Sequence, residues 1–254
     1  MTAVVIVQAR MGSTRLPGKI LKGLGGMSAL AQCLRRCKAI PGIDRVVCAI
    51  PEGEAEAPAV AEAQRCGALV VRGPSDDVLK RYALAARAAG ADIVMRVTSD
   101  CPLIDPDLCG RLLAKLRAEG LDYCCNNLPP SWPHGLDAEV FRATALFEAE
   151  DKATEPFDRE HVTPWLRRAP HLKRGNIARE EGDLSHQCRW TLDYPEDYAF
   201  LAALFERLPE AIVSMEAVLA VLAANPALAD INAMRRGVRA MPVPAKGASV
   251  SDRR

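Results

Sequence analysis

Along the first hundred residues, short apolar runs alternate with longer amphipathic ones. VVIV (4–7), RVVCAI (45–50), ALVVR (68–72) and DIVMRV (92–97) are continuous and rich in β-branched residues, the pattern of strands covered on both faces. Between them SALAQCLRRCKAI, EAPAVAEAQRCG and DVLKRYALAARAAG carry apolar residues at helical spacing. This βαβ rhythm predicts an α/β fold in which a mainly parallel sheet is layered between helices.

After Asp100 the pattern loosens. It predicts a helix near 106–119, a strand at LDYCC, a proline-rich loop NNLPPSWPHG, a short strand AEVF and a helix starting near Ala143. RWTLDYPEDYAFLAALFERL then reads as one more strand ending at Asp193, a turn, and a helix with Pro195 in its first turn. No repeat and no Gly/Ser-rich linker divides the chain. The expectation is one domain over 1–239, an irregular insertion near 124–165, and a disordered tail over 240–254, where MPVPAKGASVSDRR has little to bury.

Composition narrows the function. The chain has 254 residues, 49% of them hydrophobic, enough for a substantial core. Thirty-three basic against thirty-two acidic side chains leave a formal net charge of +1, so no global field drives it onto nucleic acid or an anionic membrane. Nine cysteines sit mostly in apolar runs and form no CxxC pair, which points to reduced, packed thiols. The N-terminal apolar run is cut by Gln8 and Arg10 and is neither a signal peptide nor a membrane span. A cytoplasmic protein is expected.

The chemistry concentrates where strands end. Directly after VVIV comes QARMGSTRLPGK, in which Arg10, Ser13, Arg15 and Lys19 crowd around Gly12 and Gly18, and Pro17 blocks an immediate helix. Ligands of open parallel sheets bind beyond the carboxyl ends of the strands. A loop there with three cations and two glycines suits a polyphosphate. Lys19 is followed by Ile20 instead of Ser or Thr, so this is not a Walker A loop. Asp100 follows DIVMRV and Asp193 ends RWTLD; two carboxylates beside a phosphate loop suit a hard divalent cation. Asp105, Asp107, Glu196 and Asp197 stand at helix starts and are assigned to capping and dipole complementarity. Cys101 has no conspicuous histidine partner and is assigned to packing.

QARMGSTRLPGK, SDDVLKRY, TSDCPLID, GLDAEVF, REHVTP and RWTLDYPEDY, in that order between about Val4 and Phe205, resemble the SpsF-like cytidylyltransferases of spore coat polysaccharide biosynthesis. More distantly they are similar to the CMP-sugar synthetases that activate 3-deoxy-manno-octulosonate and sialic acids. The resemblance implies a nucleotide-diphospho-sugar transferase (Rossmann-like) fold, CTP as donor, Mg2+, and attack of an acceptor oxygen on the α-phosphorus with loss of pyrophosphate. It implies Ala9, Arg10, Gly12 and Ser13 near base and phosphates, Arg15 and Lys19 on the triphosphate, and Asp100 and Asp193 on the metal. Arg15, Lys19 and Asp100 become the expected catalytic residues.

The acceptor side is less defined. Asp137, Glu139, Arg159 and His161, with Glu160 beside them, are the candidate contacts to a sugar-type acceptor, for a pathway to surface polysaccharide or glycoconjugate. The chain departs from SpsF-like sequences at His134, where an acidic residue is expected, so the acceptor stays open. The sugar-acid relatives imply a homodimer. Two alternatives also stay open: a glycosyltransferase of the same fold using a nucleotide sugar, and a non-catalytic nucleotide-binding protein.

Overall fold

Seven strands make one sheet: β1 (Ala3–Gln8), β4 (Arg45–Pro51), β5 (Leu69–Gly73), β6 (Ile93–Thr98), β7 (Tyr123–Cys125), β8 (Glu139–Arg142) and β9 (Arg174–Asn176). Their order across it is β5-β4-β1-β6-β8-β7-β9. A two-residue hairpin, β2 (Gly23–Leu24) with β3 (Met27–Ser28), stands apart. The structure is a computed structural model and describes residues 1–210 and 212–238. The tail expected over 240–254 lies outside the described residues.

The first four parallel strands follow from the alternation read above. β1 pairs in parallel with β4 and with β6, and β4 with β5. β1, β4 and β6 are buried almost throughout, whereas β5 is the sheet edge and half exposed, with Leu69 at 44%. β8 alone runs against its neighbours, antiparallel to both β6 and β7, while β7 and β9 are parallel. The segment 124–165 therefore supplies a central strand, and its irregular part shrinks to the loop 126–138 and short helices.

One face carries α1 (Ala29–Lys38), α2 (Ala57–Arg65) and α4 (Pro106–Glu119). They pack Leu34, Ala59 and Leu112 against Val5, Val7, Cys48 and Met95. The other face carries α3 (Val78–Ala89), α5 (Ala143–Lys152), α6 (Pro156–His161) and α7 (Pro164–Arg168), packing Tyr82, Leu146 and Leu166 against Val4, Ile6 and Val94. A third cluster joins α8 (Pro195–Phe205), α9 (Met215–Ala224) and α10 (Pro226–Asp230) to Trp132, Trp190 and Leu192. Caps sit where the residue types place them: the Ser28, Asp77 and Asp105 side chains accept from the first turns of α1, α3 and α4. All nine cysteines are free, seven of them buried. No helix among the described residues is long and apolar enough to cross a membrane.

One expected strand is absent. Residues 189–193 lie outside the sheet; an isolated bridge joins Arg189 to His134, which is itself in the loop between β7 and β8. Trp190 N–H donates to the His134 carbonyl at 2.6 Å and Leu192 N–H to the Asp100 carbonyl at 2.8 Å. The run is apolar because Trp190 and Leu192 fill the third cluster, which mimics a buried strand in the sequence pattern.

Candidate active site

The loop after β1 is fixed by two apolar pins. Leu16 enters the third cluster and Ile20 the first, at 7% and 1% exposure. Between them Gly18 adopts φ +63°, a left-handed conformation that costs glycine nothing, and opens a single 3-10 turn, Lys19–Leu21. With Leu16 and Ile20 turned inward, Arg15 and Lys19 reach across the carboxyl edge of the sheet.

There Lys19 Nζ donates to Asp100 Oδ2 at 2.9 Å and to Asp193 Oδ1 at 2.6 Å. Arg15 Nη2 stands 3.2 Å from the other oxygen of Asp193, with its guanidinium 5.0 Å from the Tyr194 ring centre. The Lys19 side chain is 12% exposed, and Asp100 and Asp193 are 25% and 20% exposed. Burial disfavours the Lys19 charge, but the two carboxylates outweigh it and hold its pKa above the ordinary lysine value. Burial likewise opposes ionisation of Asp100; the Lys19 charge and hydrogen bonds from Thr98 and Lys19 nonetheless keep it well below the usual carboxylate range. The cluster thus sets two basic side chains, Arg15 and Lys19, against two carboxylates, Asp100 and Asp193.

Asp193 reaches this point by a route other than a strand end. The Leu192 N–H and the Thr191 hydroxyl both bond the Asp100 carbonyl, the latter at 3.2 Å, stitching the two aspartates' backbones together. The turn after Asp193 is gripped by Asp197, fully buried at the start of α8. Asp197 Oδ2 accepts from the backbone N–H of Asp193 and of Tyr194 at 3.0 Å each. A buried Arg189 fork binds both Asp197 oxygens at 2.8 Å, and Asn232 Nδ2 adds a bond at 3.1 Å. Asp197 does cap its helix as expected, and it also holds Asp193 in place. Arg189 was not legible as a site residue, because an arginine opening an apolar run looks like a strand boundary.

The other candidates divide. Arg10 is exposed at the end of β1, and Gly12 is exposed, with open space where a side chain would begin. Ser13 Oγ accepts from Leu16 N–H at 3.4 Å. Ala9 stands just past β1 with its methyl in the core and its N–H bonded to the Ala49 carbonyl. In the loop 126–138, Asp137 accepts from Gly135 N–H at 3.1 Å. His134 helps lower the Asp100 pKa, and Asp137 helps raise that of Cys101, after burial and Asp100 itself. Both therefore lie in the electrostatic neighbourhood of the aspartates. Cys101 is buried and held as a neutral thiol.

Glu139 is a correction. It is 1% exposed, faces Arg96 across the β6–β8 ladder, and takes Arg96 Nη1 at 2.7 Å and Arg167 Nη2 at 2.6 Å. The Tyr123 hydroxyl donates to it, and that of Thr163 at 3.2 Å. Burial alone would raise its pKa; Arg167 and Arg96 instead bring it down to about 2. Glu139 organises the second face and has no oxygen left for an acceptor. Arg159 likewise ties helices, binding Asp77 and, at 2.6 Å, the Glu150 carbonyl. His161 packs against Phe157 with ring centres 4.4 Å apart and the rings tilted by 55°, and burial pushes its pKa below the ordinary histidine value. The structure joins Arg15, Lys19, Asp100 and Asp193, and leaves Glu139, Arg159 and His161 apart from them on the second face.

The family model for cytidylyltransferases matches residues 4–221, a span that includes every residue of this cluster. The chain belongs to the cytidylyltransferase family. It is 33% identical over 211 residues to the spore coat polysaccharide biosynthesis protein SpsF of Bacillus subtilis, covering 81% of this chain and 87% of that one. A solved cytidylyltransferase from Leptospira borgpetersenii superposes with a TM-score of 0.85 at 30% identity, covering 90% of this chain and 96% of its own. CMP:2-keto-3-deoxy-manno-octonic acid synthetase, solved with CTP, shares the fold at a TM-score of 0.62 and 18% identity, covering 82% and 99%. The mainly parallel sheet flanked by helices is that of the nucleotide-sugar nucleotidyltransferases, and the protein is a CTP-dependent nucleotidyltransferase.

Proposed function

We propose that this cytidylyltransferase transfers CMP from CTP to a hydroxyl of a sugar acid or related sugar, releasing pyrophosphate, in the making of a surface polysaccharide or glycoconjugate. The observation that carries the reading is the meeting of Arg15 and Lys19 with Asp100 and Asp193 at the carboxyl edge of the sheet. In the reaction an acceptor oxygen bonds the α-phosphorus, the α–β anhydride bond breaks with its electrons passing to pyrophosphate, and the hydroxyl proton is released. The chain need supply no nucleophile. Its work is to hold the triphosphate and neutralise the charge that grows on the leaving group, for which Lys19 and Arg15 are placed, with Arg10 and the exposed Gly12 backbone at the mouth of the loop.

The two aspartates fit a divalent cation such as Mg2+: both are hard oxygen donors and both already converge on one positive centre. Bound there, the ion would supply charge neutralisation on the phosphate oxygens. His134 and Asp137, in the loop 126–138, act electrostatically on Asp100 and Cys101, and in this reading the acceptor is assigned to that side. The resemblance to SpsF supports the sugar acceptor and the pathway; a cytoplasmic location and a homodimer belong to the proposal on the family resemblance alone.

The test is pyrophosphate release from each of the four nucleoside triphosphates with Mg2+ and a panel of sugar acids and sugar phosphates. Turnover is expected with CTP and at least one acceptor. Binding of ATP or UTP about tenfold tighter than CTP, or turnover with a ready-made nucleotide sugar in its place, refutes the proposal.

A further inference from the structure

The Lys19 ammonium does for the two aspartates what a metal ion would do. It sits within hydrogen-bond distance of one oxygen from each, 2.9 and 2.6 Å away, and is shielded on the other side to 12% exposure. Its position is not the accident of a long, wandering side chain. Ile20, the next residue, is plugged into the core, and Gly18 sets the turn that presents Lys19. Charge is also matched: Lys19 and Arg15 balance Asp100 and Asp193. Two carboxylates this close repel each other unless a cation stands between them, so some cation must be present in every state in which both stay ionised.

We infer that Lys19 is the resident counter-ion of the Asp100–Asp193 pair and that a divalent cation enters only as Lys19 leaves. The exchange conserves charge: one ammonium and one guanidinium on the aspartates are replaced by one doubly charged ion. The displaced Lys19 and Arg15 then require an anion of their own, and a triphosphate supplies it. Metal and nucleotide therefore load together, each favouring the other by the same factor, while the nucleotide-free protein takes up metal poorly. Lys19 is in this sense a positioning residue for the aspartates before it is a ligand of phosphate. This inference rests on the proposed metal role of the two aspartates, but its test needs neither CTP nor turnover.

Mn2+ is titrated into the full chain without nucleotide, and bound ion is read from the loss of the free-ion paramagnetic resonance signal. Lys19→Met and Lys19→Gln are expected to bind one Mn2+ about tenfold or more tightly than the unaltered protein, the scale of a typical coupling between two ligands. Adding Asp193→Asn to either variant is expected to remove the gained binding. Equal Mn2+ affinity in the unaltered and both Lys19 variants overturns the inference, as does gained binding that survives Asp193→Asn. A failed pyrophosphate assay alongside the expected Mn2+ result would count against the acceptor chemistry and leave the exchange standing.

Discussion

Removing the Asp197 carboxylate by Asp197→Ala strips five contacts at once. Arg189 loses both arms of its fork at 2.8 Å, Asn232 loses its bond at 3.1 Å, and the N–H groups of Asp193 and Tyr194 lose their acceptor at 3.0 Å. The Arg189 side chain is 1% exposed and Asp197 0%, so the guanidinium stays buried with hydrogen bonds to the Val238 carbonyl and His134 and a long ion pair to Asp193 at 3.9 Å. Breaking a buried pair by deleting one partner costs about 3–5 kcal/mol, a large part of the ~5–15 kcal/mol that holds a domain together. In urea, with a slope of about 3 kcal/mol/M for a chain of this size, the midpoint should fall by roughly 1 M or more. The double variant Arg189→Met with Asp197→Leu removes the stranded charge, and most of the lost stability should return, since apolar replacements of buried pairs are often neutral. CTP turnover should not return with it, because the backbone of Asp193 and Tyr194 has lost what fixes the turn. A midpoint shift for Asp197→Ala within about 0.3 M, or a double variant with full activity, would refute the account of Asp197 as the anchor of Asp193.

Two further outcomes follow from residues next to this network. Glu139 has its pKa lowered from 4.5 to about 2 in the folded chain, so its ionised form stabilises the fold fully above pH ~4.5, and that stabilisation is lost as pH falls from about 4.5 through 2. The size is about 3 kcal/mol, and urea midpoints measured down that range should drop more steeply in the unaltered protein than in Glu139→Gln. Gly135 stands at φ +114°, and a Cβ there would lie 2.6 Å from Thr191 N and from the Trp190 carbonyl carbon. Gly135→Ala should therefore cost about 1–3 kcal/mol and, by pushing the segment that carries Asp193, lower turnover more than it lowers stability; unchanged melting and unchanged turnover would show that the contact yields freely.

Local signals carried the parts of the molecule that local physics decides. The cations of QARMGSTRLPGK declare themselves because β1 before them is wholly apolar up to Gln8, and the loop could be placed at a ligand edge from the βαβ rhythm alone. Asp100 was legible for the same reason. The meeting of Asp193 with Asp100 was legible, but the run before Asp193 is apolar for packing against the α8–α10 cluster, and periodicity cannot separate an extended segment outside a sheet from a buried strand. Glu139 shows a different limit. Its partners, Arg96 and Arg167, lie 43 and 28 positions away in sequence, and nothing local says that β8 slips antiparallel between β6 and β7.

A clue was nevertheless present. Arg96 is the one charge inside IVMRVT and Glu139 the one acid inside AEVF, and a charge in an otherwise apolar strand must find an opposite partner or stay unburied. Two such strands, one basic and one acidic, are more economically explained as neighbours than as two separate binding contacts, and the observed register sets Arg96 directly opposite Glu139. Arg189 and Asp197, which flank the Asp193 turn on either side, form a second buried pair of this kind. What separates these ion pairs from the one at Lys19 is exposure. Glu139 and Asp197 are sealed, with their oxygens occupied by arginine and backbone or hydroxyl donors, and serve the fold. Asp100 and Asp193 keep a quarter and a fifth of their side-chain surface open at the sheet edge and are held by a lysine, whose single flexible ammonium can be exchanged where a buried guanidinium fork cannot.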